Sequence, residues 1–167
     1  MRAAFTTLAM LAVISVSATA RAQAPASPAD GRIVMSAAEV SALAAKLKAE
    51  HKDQATMGGP MLRAAGFSAN MEYRTAVGPA AIHDVDAEFF YVIDGSGTVV
   101  TGGKLMNEKR TNAANLTGTG IEGGNSRKVA KGDFIMVPEG TAHWFSAIDG
   151  TLVLMSIHLP KQAPATH

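Results

Sequence analysis

The sequence predicts an all-β chain: one small antiparallel barrel or sandwich preceded by a single amphipathic helix. Three observations predict it. From Gly58 onward, short β-branched or aromatic runs alternate with Gly-, Asp- and Pro-rich punctuation, as in folds built from many short strands. Only one stretch, opening at Ser36, has helical spacing. Gly132 to His143, G-D-F-I-M-V-P-E-G-T-A-H, spell a strand, a tight reversal and a returning strand. Pro138 stops the first strand because it cannot donate to a ladder, and Gly140 permits the reversal.

In chain order, residues 1–22 are expected to be a secretory signal peptide: Arg2, an uncharged stretch from Ala3 to Ala20, then small residues with an A-x-A site after Ala22 or, failing that, after Ala20. The rival, a membrane anchor, needs at least ~17 strongly apolar residues, and this stretch is rich in Ala, Ser and Thr. Residues 23–31 are Ala- and Pro-rich and are expected to be a flexible lead-in. The folded domain is expected over 32–160, with a tail over 161–167. Ile33-Val34-Met35 are read as a short first strand. Ser36 and Glu39 then make a capping box, and Val40, Leu43, Ala44 and Leu47 follow at helical spacing, so a helix is expected over about 36–52. Its apolar stripe should pack on the outside of the barrel or against a second subunit.

Strands are expected at 60–64, 67–76, 80–84, 88–94, 97–101, 127–130, 133–137, 142–147 and 151–159. Asp149-Gly150, between two apolar runs, reads as a hairpin turn. Residues 104–126 are rich in Asn, Gly and Thr and are expected to form a long loop over one end of the barrel; its functional version would be a lid.

Composition excludes several classes. The chain has 167 residues, the size of one domain, and no cysteine, hence no disulfide and no thiolate ligand. The formal charge is +1; residues 1–22 hold Arg2 and Arg21 and no acid, so the remainder carries −1. A nearly neutral surface speaks against nucleic acid or an anionic membrane as partner. Cleavage would release the chain into a bacterial periplasm or the extracellular space, without stable membrane insertion.

The chemistry sits in two motifs. His83 is followed by Glu88, and Glu88 by the strand run Phe89-Phe90-Tyr91-Val92-Ile93 and Gly95. His83 would end one strand and Glu88 begin the next, so a nitrogen and a carboxylate face each other across a turn. His143 opens the strand after the Pro138-Gly140 reversal, a rigid place for a metal ligand or a catalytic imidazole.

These two motifs, in this order and spanning residues 78–147, resemble the cupin family. The resemblance implies a single antiparallel jelly-roll barrel. It also implies one divalent metal on three histidines and one carboxylate. Carried over position by position, it gives His83, Glu88 and His143 as ligands. The family's first histidine falls at Ala81, which cannot ligate, and the Asn that often ends the second motif falls at Ala147. What remains is a 2-His-1-carboxylate set with open positions for water, substrate or oxygen. Iron, manganese, nickel, cobalt, zinc and copper all suit it, and no thiolate biases the choice.

Water is the simplest fourth ligand; Asp86 and Glu122 are weaker substitutes. Glu88, next to an open site, could serve as a general base. Phe89, Phe90, Trp144 and Phe145 are candidates for dry walls, and either Tyr73 or Arg74 should face the pocket. His158, on the last strand, reads as a core or rim histidine, and His51 as a solvated last-turn residue. The expected function is therefore that of a metal-binding cupin acting on a small molecule, by oxygen-dependent cleavage, isomerisation, or lyase or hydrolase chemistry. The alternative is a non-catalytic ligand- or metal-binding module with a degenerate site. Fold analogy adds a homodimer, through the helix or a strand edge.

Overall fold

The structure, a computed structural model, describes residues 31–64 and 67–161. The expected signal peptide, nearly all of the lead-in and the tail beyond residue 161 lie outside the described residues. Among those described, no helix is long and apolar enough to cross a membrane.

The helix α1 spans Ala37–Glu50, and its capping box is in place: Glu39 N–H donates to the Ser36 hydroxyl, and Ser36 N–H to the Glu39 carboxylate at 2.7 Å. It ends two residues before the expected boundary because His51 is its cap and Lys52 turns to φ 48°. Ile33 to Met35 do not form the expected strand. One backbone bond, from Arg63 N–H to Arg32 O, ties this stretch down, and Ile33 and Val34 remain exposed.

Eleven strands follow among the described residues: β1 Thr56–Ala64, β2 Phe67–Arg74, β3 Ala80–His83, β4 Asp86–Thr101, β5 Lys104–Met106, β6 Lys109–Arg110, β7 Asn115–Gly118, β8 Gly120–Glu122, β9 Asn125–Ala130, β10 Phe134–Val137 and β11 His143–Pro160. All pair antiparallel, in a jelly-roll barrel with one N-terminal helix, as the sequence predicts. The long strands β4 and β11 are its spine, paired from His143 opposite Thr101 to Pro160 opposite Asp86. β11 also pairs with β3 at its first residue and with β2 from Leu152 to Ile157; β9 and β10 flank β4.

Two further expectations do not hold. Residues 88–94 and 97–101 belong to one strand, as do 142–147 and 151–159. Asp149-Gly150 is therefore not a hairpin turn. The β4–β11 register slips between Ile148 and Leu152, where both strands carry glycines of positive φ, Gly95 at 81° and Gly150 at 79°. A Cβ on Gly95 would stand 2.0 Å from the Thr151 carbonyl oxygen, so the strands bend past each other only because it is absent. The other correction concerns 104–126, which is not a loop. It folds into β5 to β8: β7 extends the main sheet by pairing with β3, and β5 with β8 make a separate ribbon. The segment's Gly and Asn residues serve its tight turns between short strands, which masked the strands in the sequence.

Strand alternation sorts β2 to two sides. Ala69, Met71 and Tyr73 face outward and join Leu47, Met61 and Val153 in a core under α1, with Val40, Leu43 and Ala44 packed against it. The stripe of α1 thus lies on the outside of the barrel. Gly59 lets it sit close, since a Cβ there would be 3.1 Å from Leu43 Cδ1. The inner core comprises Phe90, Val92, Val99, Val129, Val137, Phe145, Leu152 and Leu154. Glu72 and Arg74, out of phase with Met71 and Tyr73, line a cavity at the end of that inner core.

Candidate metal centre

The two motifs meet in space. β10 ends at Val137, Pro138 to Gly140 reverse the chain with Gly140 at φ 69°, and His143 opens β11. Gly140 N–H donates to the His83 carbonyl at 2.8 Å, fastening the reversal of the second motif to the last residue of β3 in the first. Asp84 and Val85 turn the chain from β3 into β4, and Glu88 lies near the start of that strand.

Glu88 is the centre of the cluster and is 4% exposed. Its Oε2 lies 3.2 Å from His83 Nε2 and 3.1 Å from His143 Nε2, and its Oε1 lies 3.4 Å from His158 Nε2. The expected residues His83, Glu88 and His143 are thus brought together, and His158 is added to them. His158 is directly opposite Glu88 in the β4–β11 ladder, so strand pairing alone delivers it. Its ring meets that of His83 edge-on at 4.7 Å. The donors that all lie within 4.8 Å of one another belong to His83, Glu88 and His158, a group that can hold a metal ion; His143 reaches Glu88 from outside that set. The sequence carried one usable signal for His158. It continues the alternation of Leu152, Leu154 and Ser156, all of them buried. The register that sets it opposite Glu88 could not be read from that alternation.

The tautomers are set from behind. Asn115 Oδ1 only accepts, so the His83 proton sits on Nδ1, which donates to it at 2.6 Å. The His143 Nδ1–H likewise donates to the Thr141 carbonyl at 3.3 Å. Both rings therefore turn Nε2 toward Glu88. Asn115 is the cross-strand partner of His83 on β7, so the segment expected to be a long loop instead orients a site histidine. Asp86, expected as a substitute ligand, stands behind His158 at 3.9 Å from its Nδ1. Glu122 is on the β5–β8 ribbon and is not part of the cavity lining.

Burial pushes the Glu88 carboxyl up, but hydrogen bonds from His143 and His83 and the charges of His143 and His158 outweigh it and hold the carboxyl at about 2. The Glu88 hydrogen bond raises the His83 imidazole above its ordinary value, against the opposing effect of burial, and Asn115 adds to the rise. A carboxyl held so low is ionised throughout the neutral range. The ionised form is the one in which a carboxylate serves as a cation ligand.

The cluster opens into a cavity of about 340 Å³, at the small end of the range for small-molecule sites. Ala81 lines it, as expected for a residue two before His83 on the same face. Trp144 and Phe145 form walls, and Trp144 Nε1–H is pinned to the Gly78 carbonyl at 2.9 Å. Phe90 stands edge-on to Phe145 at 5.4 Å beneath the site. Phe89 does not join them; it points outward against Phe134. Of the pair Tyr73 and Arg74, it is Arg74 that faces the cavity. His51 is not part of the site and stacks on Tyr73 under α1.

Among solved structures, the chain is similar to the hydroxypropylphosphonic acid epoxidase of S. wedmorenis, at 16% identity over 64% of this chain and 51% of that one, with a TM-score of 0.48. It is also similar to the DMSP lyase DddQ of Ruegeria pomeroyi, at 13% identity over 67% of this chain and 49% of that one, TM-score 0.45. A Bacillus halodurans protein matches at 21% identity over 60% of this chain and 67% of its own, TM-score 0.41. The chain spans about half the length of the epoxidase and the lyase. No curated protein sequence matches it. The sequence profile of the Cupin family matches residues 57–167, well over half of the chain and nearly the whole of the strand region described above, and the chain belongs to the cupin family.

Proposed function

We propose that this chain is an exported single-domain cupin that holds one divalent transition metal on His83, Glu88, His143 and His158 and acts on a small molecule in the adjoining cavity. One observation carries the reading: three imidazole Nε2 atoms converge on one buried carboxylate at 3.1 to 3.4 Å. With Nδ1–H committed to Asn115 and Thr141, His83 and His143 donate Nε2–H to Glu88 only as charged imidazoliums; as neutral rings they turn lone pairs to its oxygens. Such an arrangement needs positive charge between the groups, from protons or from a cation. One buried carboxylate offsets only one protonated imidazole, whereas a divalent ion serves all the donors together. The Glu88-to-imidazole distances fit ligands about 2.1 Å from a common ion, which stand roughly 3.0 to 3.4 Å apart at octahedral or tetrahedral angles; His143, outside the group of donors within 4.8 Å of one another, has to close in to share that ion.

When bound, the metal would supply Lewis-acid polarisation of a ligand or activation of water. The chain's own part is to hold the imidazoles in the right tautomer through Asn115 and Thr141, to keep Glu88 ionised, and to exclude water with Trp144 and Phe145. Ala81 leaves space beside the cluster where the family commonly places a histidine, and that space is where a small molecule can approach. The same residue supports a second reading, a binding module without turnover. Export rests on the pattern of residues 1–22.

The test is metal analysis of the chain lacking residues 1–22, after reconstitution with each candidate ion. About one ion per chain is expected, largely lost in His83→Ala and His143→Ala. Protein that takes up no metal, with variants indistinguishable from it, ends the proposal. Turnover and oxygen-consumption screens of the loaded protein separate enzyme from binding module.

A further inference from the structure

We propose that Arg74 anchors the anionic end of the molecule this site takes, which makes the ligand class a small oxyanion: a carboxylate, phosphonate or phosphate ester. The inference rests on the metal reading above and deepens it.

Arg74 reaches the cavity because β2 alternates. Tyr73 is buried beneath α1, so its neighbour points the other way, into the space shared with His83, Glu88, His143 and His158. The Arg74 side chain is 17% exposed and held on two sides. Nε and Nη2 donate to Glu72 Oε2 at 2.9 and 2.5 Å, and the guanidinium lies over the Phe145 ring at 4.8 Å. A planar cation fixed in this way loses little further freedom when it binds.

One edge of the fork is left over. Among the described residues, Nη1 makes no hydrogen bond to the protein. It lies beside Gly78, where a built Cβ would be 3.9 Å from it and 3.9 Å from the Thr56 hydroxyl. Thr56 and Gly78 both line the cavity, so an N–H donor and a hydroxyl border the same open space as the metal cluster. A guanidinium edge of this kind matches a carboxylate or phosphoryl oxygen.

Charge selects the same class. The cavity lining holds one cation, Arg74, and two carboxylates, Glu72 and Glu88. With neutral histidines the lining sums to −1, and a divalent ion turns it to +1. Anion binding should therefore require the metal, and the cavity's volume, at the low end of the range for small-molecule sites, suits a small ligand.

The experiment uses cobalt-loaded protein lacking residues 1–22, with propionate, methylphosphonate and the neutral propionamide as probes, read by calorimetry and by the cobalt visible spectrum. Cobalt content is measured separately for every variant. The expected result is that wild type binds the two anions and not the amide, and that Arg74→Gln keeps its cobalt but loses about tenfold or more in anion affinity. Arg74→Gln leaves Glu72 unpaired, so Glu72→Gln/Arg74→Gln is measured beside it and should show the same loss. Unchanged anion affinity in either folded, cobalt-loaded variant overturns the proposal, and so does propionamide binding as well as propionate. Wild type that takes up no cobalt overturns the metal reading, and the Arg74 proposal with it.

Discussion

His158 and Glu88 are direct cross-strand partners, and His158 Nε2 lies 3.4 Å from Glu88 Oε1. Through this pairing the cluster regains a third imidazole. The family's first histidine would have come from β3, at Ala81; here it comes from the far end of β11. The change of strand matters for chemistry. Ala81 lines the cavity together with Trp144 and Arg74, so a larger side chain at position 81 would take up part of that space.

Asn115→Ala should weaken metal binding about 10- to 100-fold, the usual effect of losing a group that orients a metal-ligating histidine. Asn115 fixes the His83 tautomer from β7 and does not itself reach the cluster. The variant should fold, and a metal titration against a competing chelator reads the loss directly. Unchanged affinity would mean that β7 has no part in the site.

How much of this was legible in the sequence follows from the range of each signal. Ser36 and Glu39 are three residues apart, so the cap could be read locally. Pro138, Gly140 and His143 are equally local, and they placed the reversal and the start of β11 correctly. His158 could not be assigned, because its role depends on the β4–β11 register, and that register slips at Gly95 and Gly150. Asp149-Gly150 suggested a hairpin and Gly95 a break between strands, where both strands in fact continue through a bend. The strands in 104–126 were hidden because they are two to four residues long, too short for alternation to show.

Metal-free protein should respond to pH in opposite senses at the two ends of the range. The Glu88 carboxyl is held at about 2, below its unfolded value of about 4.3, so it contributes stability above that value and loses it as pH falls toward 2. His83 is raised above its unfolded value of about 6.5, so its contribution is full below that value and is lost as pH rises through the folded one. The cluster's contribution should therefore be greatest between about pH 4.5 and 6.5 in the presence of chelator. Metal replaces the protons and reverses the upper limb, so loaded protein should gain in Tm above about pH 6.5. Thermal melts across pH, with and without metal, check both limbs.

Leu47→Ala should cost about 2–5 kcal/mol, because Leu47 is 3% exposed and seats α1 on Met61, Met71 and Tyr73. That core lies on the opposite face of β2 from Glu72 and Arg74. Metal content per folded chain should be unchanged. Denaturant unfolding together with metal analysis separates the two properties, and loss of metal from folded Leu47→Ala would mean that the outer core also shapes the site.

His158→Ala should lower metal affinity, and adding Ala81→His to it should restore that affinity. Ala81 is the β3 partner of His143 and shares a face with His83, so an imidazole there is directed at the same cavity. Ala81→His alone should keep the metal but weaken small-anion binding, because the new ring occupies the side left clear by alanine. Chelator competition reads the first effect, and calorimetry with propionate the second. If the double variant binds no better than His158→Ala, position 81 does not face the metal, and the open side of the site lies elsewhere.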